Sequence, residues 1–428
     1  MNAWKTYNVK ELVEIGIIER PMDGNHGEIH PKGSDFTEAG IPFIMATDIM
    51  NGKIDLHNCK FISVEQSRKL RKGFSLSKDV LLTHKASIGR TAIVPELDTD
   101  YIMLTPQVTY YRVLDKSVLN HKYLKYYFDS SLFQQTLSSY ANSGSTRAYI
   151  GITEQLNLPI ILPPIKVQDR IASILSSLDD KIELNLQMNK TLESIAQAII
   201  KEWFVDFRFP GFDGELEDGI PKGWRKGKLA EIVEIKNGYA FKGTDFMEEG
   251  IPVIKIKNVK PNKILLKELS YVSHEMSIKT QRFRINHEDI LITMSGNRID
   301  GGKDTWVGKV AIFMRDGEFL LNQRVSILRL DKSRKFFKYY LAILLSSDTY
   351  QDYFIKNATS SGGQANISPD LVNNTDILIP PTAILGLYHK VIEPIFNKIS
   401  ANDNEIDTLS SLRDTLLPKL MTGKIRVA

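Results

Sequence analysis

The chain has 428 residues, 42% of them hydrophobic and 25% charged, with a net charge of +4 and a single cysteine, Cys59. That composition supplies sizeable apolar cores for two or three domains and excludes a disulfide framework, a cysteine-based metal site and an intrinsically disordered chain. No apolar run approaches the ~20 residues of a membrane span and the first ten residues lack the apolar stretch of a secretory leader, so a cytoplasmic protein is expected.

Taken in chain order, residues 79–83, 91–94 and 108–114 are short runs rich in Val, Ile, Thr and Tyr, which predicts strands. An amphipathic stretch at 121–139 predicts a helix, the polar run Asn142-Ser143-Gly144-Ser145-Thr146-Arg147 a loop, and the apolar run before Pro163-Pro164 a strand. The pattern then changes. Ile171, Leu175, Leu178, Ile182, Asn185, Asn189, Leu192, Ala196 and Ile199 follow one another at alternating steps of three and four residues, the seam of a coiled coil. Proline, glycine and acidic residues at 209–223 mark a linker. Strand-like runs return at 289–293, 310–314 and 325–330, a helix at 336–355, a polar loop at 359–364, and a second seam through Ile392, Ile395, Ile399, Asn402, Ile406, Leu409, Arg413, Leu416 and Leu420.

The second half is a copy of the first. Trp4, Glu11 and Val13-Glu14-Ile15 recur at an offset of 220 as Trp224, Glu231 and Val233-Glu234-Ile235. Gly33-Ser34-Asp35-Phe36 and Gly40-Ile41-Pro42 recur at 210 as Gly243-Thr244-Asp245-Phe246 and Gly250-Ile251-Pro252. Gly89, Ala92 and Ile93 recur at 219 as Gly308, Ala311 and Ile312, and Pro163-Pro164 at 217 as Pro380-Pro381. Ordered matches with small offset changes describe a tandem duplication. The changes locate insertions of about ten residues around 21–30 in the first copy and about nine around 297–306 in the second.

Two such seams in one chain pair with each other, and antiparallel packing is the arrangement favoured by a short linker. The first seam, Ile171 to Ile199, covers 29 residues, or ~43 Å at the helical rise. That span exceeds one turn of B-DNA, ~34 Å, and suits two reading domains set about one helical turn apart on a duplex. The fold class expected is therefore α+β: two tandem-repeated mixed α/β domains, each followed by a long helix, the helices paired as an antiparallel coiled coil with pseudo-two-fold symmetry.

No chemistry for catalysis is legible. Dinucleotide and phosphate-loop glycine patterns are absent, Gly302 to Lys309 fails as a phosphate loop, and the eight histidines show no paired ligand spacing. The Pro-Pro pairs lack the Asn or Asp before and the aromatic after that an amino-methyltransferase needs.

The order of these parts resembles the specificity subunits of type I restriction–modification systems across essentially the whole chain. The run Ile220-Pro221-Lys222-Gly223-Trp224 followed by 229–241 is similar to that family's usual domain opening, and Gly144-Ser145-Thr146 with Ile150, Leu162-Pro163-Pro164 and Gln168 is similar to another family signature. The second copy departs from it: Ser360-Ser361-Gly362-Gly363-Gln364 has no counterparts of Thr146 and Arg147. The resemblance implies target-recognition domains at 1–165 and 224–383, conserved helices at 166–208 and 384–428, and a linker at 209–223. It also implies double-stranded DNA as ligand, two methyltransferase (modification) subunits and two restriction (motor–nuclease) subunits as partners, and a bacterial or archaeal cytoplasm. S-adenosylmethionine, ATP and Mg would be used by those partners, with no cofactor and no metal in this chain.

Base reading needs Arg, Lys, Asn and Gln, and phosphate contact needs cations and hydroxyls. In the first domain these point to Lys85, Ser87, Arg90, Gln107, Asn142, Ser143, Ser145, Thr146 and Arg147. In the second they point to Asn297, Arg298, Lys303, Lys309, Gln323 and Arg324, with Lys255 and Lys257 (and Lys260) on the backbone. The run Arg68-Lys69-Arg71-Lys72 reads as a solvated helical face. A protein–protein adaptor without DNA readout remains the alternative, distinguished by binding that salt leaves unchanged.

Overall fold

The computed structural model describes residues 4–141, 149–297, 305–361 and 363–427. It divides into two compact units, residues 1–183 with 407–428 and residues 184–406. The helices Ile165–Phe204 and Thr382–Met421 each contribute to both units. Among the described residues, no helix is long and apolar enough to cross a membrane.

In the first unit, the opening strand Lys5–Asn8 pairs antiparallel with Pro159–Leu162, the strand before the proline pair. Asn8 and Glu11 close a reciprocal capping box that starts the helix Val9–Glu14. The central sheet has the order Thr91–Ile93, Val80–Thr83, Val108–Tyr111, Met22–Asp23, all antiparallel. Its period-two alternation feeds two cores. Val80, Leu82 and Tyr111 face the helices, while Leu81, Ala92 and Tyr110 face the second sheet through Ile44, Ile102 and Leu104. In that second sheet Ile102–Leu104 runs parallel to Ile41–Ile44.

The second unit repeats the plan. Arg225–Lys228 pairs with Asp376–Ile379, and the central sheet has the order Glu234–Asn237, Val325–Arg329, Ile290–Thr293, Val310–Ile312. Ile290, Ile292 and Leu328 enter one core, Leu291, Val325 and Ile327 the other. Each predicted helical stretch is broken by a serine. Ser130 (ψ 144°) separates His121–Asp129 from Ser131–Ala141, and Ser347 (ψ 157°) separates Lys338–Ser346 from Asp348–Lys356. The loop expected at 359–364 is part of a hairpin, Thr359–Ser361 against Gln364–Asn366. Residues 209–223 fold onto the second unit rather than hanging free: Phe209 stacks on Trp224 at 5.3 Å, and both are buried.

A buried ion pair recurs in each unit. Asp79, 1% exposed, accepts both Nε and Nη2 of Arg112, at 2.9 and 2.8 Å. Arg329 Nε meets Asp289 Oδ1 at 3.0 Å in the same fork.

The long helices run antiparallel within each unit. In the first, Arg413 Nη1 donates to Asp179 Oδ1 at 2.9 Å, and Ile171, Ala172 and Leu175 share a core with Leu420 and Met421. In the second, Asn185 donates to Glu405 and Asn189 to Asp403, each at 2.8 Å, and Asn402 donates to Asn189 at 2.8 Å. Ile171, Leu175, Asn185, Asn189, Ile392 and Asn402 of the expected seam are buried, and Leu178, Ile182, Leu192, Ile199, Ile399, Ile406, Leu409 and Leu416 are half-buried. Toward Phe204 the most buried stripe becomes Ala196, Ile200 and Phe204, at steps of four, because the helix there packs into the domain core with Tyr388, Ile392 and Phe396.

Three measurements test this fold. Arg112→Ala leaves the Asp79 carboxylate buried and unpaired, and should lower unfolding free energy by about 3–5 kcal/mol in denaturant titration. Asn189→Leu strips partners from Asn402 and Asp403 and should cost about 1–3 kcal/mol by the same method. His84, wholly buried, donates Nδ1–H to the Ile150 carbonyl at 2.9 Å while its Nε2 has no partner among the described residues. Burial holds its pKa below the ordinary 6.5, outweighing the pull of the Ile150 carbonyl and Asp23. The unfolded chain therefore takes up a proton that the folded chain refuses, so stability falls as pH drops below 6.5. His84→Gln should lose less stability than wild type between pH 7.5 and 5.5.

Candidate nucleic-acid interface

In the first unit the candidate residues gather on the turn after strand Val80–Thr83. Thr83 Oγ1 donates to the Ser87 carbonyl and accepts Arg90 N–H at 2.9 Å, which closes residues 83–90 with Ala86 at φ +66°. His84 is the pin beneath. Its N–H donates to the Gln107 carbonyl at 3.0 Å and its carbonyl accepts Ile150 N–H at 3.1 Å. Lys85 is exposed, lies 5.7 Å over the ring of Tyr149, and has no carboxylate partner among the described residues. Ser87 is half-buried beside it. Arg90 is exposed, yet its Nη1 donates to the carbonyls of Ala46 and Ile49 at 3.2 and 3.3 Å, so it latches the neighbouring 3-10 turn Ala46–Asp48. Gln107 Oε1 accepts Ala46 N–H at 3.4 Å and braces the same turn. The structure thus brings together Lys85, Ser87, Arg90 and Gln107, and adds Tyr149, 42% exposed, which sequence reasoning missed. Asn142, Ser143, Ser145, Thr146 and Arg147 lie outside the described residues.

The second unit closes its turn with the same bonds. Thr293 Oγ1 donates to the Trp306 carbonyl and accepts Lys309 N–H at 2.8 Å. Met294 N–H donates to the Arg324 carbonyl at 2.9 Å, and the Met294 carbonyl accepts Ile367 N–H at 2.9 Å. The second turn is nine residues longer between the same closing bonds and presents different side chains. Gln323 and Arg324 are exposed and adjacent, with no carboxylate partner among the described residues. Asn297 is exposed at the end of Ser295–Asn297, which pairs with the hairpin strand Gln364–Asn366. Lys309 is half-buried, and Arg298 and Lys303 lie outside the described residues.

The backbone-contact candidates are partly occupied. Lys255 Nζ sits 3.5 Å from the Phe246 ring centre, and burial, helped by the Lys257 charge, holds its pKa below the ordinary lysine value. Lys257 pairs with exposed Glu268 at 3.3 Å, a contact weak enough to exchange for a phosphate. Lys260 lies 3.7 Å over Trp306, a second aromatic that sequence reasoning missed. The run at 68–72 is not one solvated helical face: the helix ends at Arg68, and the Lys72 ammonium binds buried Asp23.

The arrangement offers donors, acceptors and rings rather than a reaction centre. Among the described residues no group of three or more His, Cys, Asp or Glu could hold a metal. Burial pushes the Cys59 thiol up to about 11, far from a nucleophilic thiolate at neutral pH.

The model of the family "Type I restriction modification DNA specificity domain" matches residues 1–194 and again residues 221–410. The MjaIX type I restriction enzyme specificity subunit of Methanocaldococcus jannaschii is 28% identical over 450 residues, covering 99% of this chain and 94% of that protein. The HindI specificity subunit of Haemophilus influenzae is 23% identical over 494 residues, covering 99% and 100%. The fold is similar to the crystal structure of a type I restriction–modification S subunit from M. genitalium, with a TM-score of 0.61 at 15% identity, covering 98% of this chain and 96% of that one. Two matches to one family model, placed on two copies of one scaffold, show that the chain belongs to the type I restriction–modification DNA specificity family.

Proposed function

We propose that this chain is the non-catalytic specificity subunit of a type I restriction–modification complex and reads a split, asymmetric double-stranded DNA site. The observation that carries the reading is the doubled turn. Thr83 and Thr293 make the same closing bonds, while Lys309 stands in the place of Arg90, Arg324 in that of Gln107 and Trp306 in that of Ser87. Matching closures with unlike donor sets suit two unlike half-sites.

In this reading residues 1–165 and 224–383 each recognise one half. The helical regions 166–208 and 384–428, with 209–223 joining the halves, hold two methyltransferase subunits, and two restriction subunits join the same cytoplasmic assembly. Those partners use S-adenosylmethionine, ATP and Mg. The adaptor alternative is not favoured by membership of a DNA specificity family.

The test is co-expression with a methyltransferase subunit and sequencing of the host genome for modified adenines. One split motif should be modified, and exchanging residues 1–165 should change one half of it and leave the other. In binding assays Lys257→Ala should weaken all sequences alike and lower the slope of log affinity against log salt by about 0.9. Arg324→Ala should instead relax one base pair of one half-site by about 1–3 kcal/mol.

A further inference from the structure

The segment that follows strand Met22–Asp23 in the first copy is held by several contacts to neighbouring chain. Strand Met22–Asp23 and Gly24 have counterparts in the second copy: Asp23 pairs with Thr109 as Asn237 pairs with Ser326, and a Cβ on Gly24 or on Gly238 would fall 1.9 or 2.2 Å from a carbonyl oxygen of the neighbouring segment. Asn25, buried, accepts Arg71 N–H at 2.9 Å and donates to the Lys72 carbonyl at 2.5 Å. His30 donates Nδ1–H to the Asn25 carbonyl at 3.1 Å and packs its ring on Phe43.

This anchoring serves one exposed side chain. Asp23 is 1% exposed, and its two oxygens are divided between the Lys72 ammonium on Oδ1 and His26 Nε2, 2.8 Å from Oδ2. A carboxylate only accepts, so Nε2 of His26 carries the proton and the ring is held in one orientation and one tautomer. Its side chain is 49% exposed, and Nδ1 has no partner among the described residues. Asp23 and His26 lie within electrostatic reach of His84, the pin beneath the Lys85 turn, and Asp23 within reach of Tyr149.

We propose that His26 is a specificity-determining residue of the first domain, reading a base edge with Nδ1 while buried Asp23 acts as its positioning residue. In the neutral ring Nδ1 accepts a hydrogen bond, which fits the exocyclic amine of adenine or cytosine in the major groove. The inference rests on the proposed reading of a split site, and the second copy places Asn237 rather than a carboxylate at the register of Asp23, with no histidine in the Tyr239-Ala240-Phe241 that follow.

The experiment is genome-wide mapping of methylated adenine in cells co-expressing a methyltransferase subunit with the full-length chain, as wild type, His26→Ala or His26→Gln. The wild type should modify one split motif. His26→Ala should accept other bases at one position of the half-site read by residues 1–165, about 10-fold more often than wild type, with the other half unchanged. If modification is lost altogether, His26→Gln decides: return of modification with a changed preference at that position supports the inference, while an unchanged motif or no return overturns it. A wild-type motif that His26→Ala leaves equally stringent at every position overturns the inference and leaves the functional reading standing. Absence of any motif from the wild type overturns both.

Discussion

A strand buried on both faces is the constraint from which the interface follows. Val80–Thr83 and Ile290–Thr293 have every residue buried, sandwiched between two apolar cores. Such a strand cannot fray into solvent, so the chain leaving it must satisfy its backbone groups locally. The terminal threonine does this in both units, donating to one carbonyl and accepting one N–H across the turn. Between Thr and its partners some residues still pack, His84 in one unit and Met294 and Val307 in the other, while Lys85 and Asn297 are exposed. The turn is held where it meets the sheet and presents a few exposed side chains, the combination a reading surface needs.

The same division of labour governs the helices. An apolar seam alone would tolerate slippage by a heptad, and a slip would carry every attached surface with it. Asn185, Asn189 and Asn402 lie buried at 0–3% exposure, and they are matched to Glu405, Asp403 and each other. Each match exists in one register only, so the polar layer gives up apolar contact in exchange for alignment. The switch of stripe toward Phe204 shows the competing demand. Where the helix belongs to a domain core, steps of four win over the alternating steps of a two-stranded seam.

What could be read from the chain without coordinates was whatever repeats locally. The seam and the strands have short periods and the duplication keeps its matches in order at a nearly constant offset, and the expected seam positions are all buried or half-buried. The breaks at Ser130 and Ser347 were open to detection, since a serine followed by a second capping-type residue opens a new helix, but the continuing amphipathic pattern concealed them. The contacts of the candidate interface have no such period. His84 meets Ile150 across 66 residues and Asp23 meets Lys72 across 49. Tyr149 and Trp306 meet Lys85 and Lys260 far along the chain, and nothing in their immediate neighbours distinguishes them from ordinary surface aromatics.

Charge illustrates the same point from the other side. Residues 222–383 carry 25 Lys and Arg against 18 Asp and Glu, a basic excess that by itself does not establish nucleic-acid binding. Many of those cations are committed within the unit: Arg225 to Glu231, Lys228 to Asp376, Lys279 to Glu275, Arg284 to Glu318, Arg329 to Asp289 and Lys338 to Glu288. The field a phosphate would feel comes from the cations left over, and among the described residues at the turn after Ile290–Thr293 these include Arg324, exposed beside Gln323. In the first unit, where the counts nearly balance, Lys85 is left in the same position. A domain without a basic excess can therefore present as usable a contact as one with it, because contact depends on which charges the fold leaves unpaired and where, and a sum over the sequence records neither.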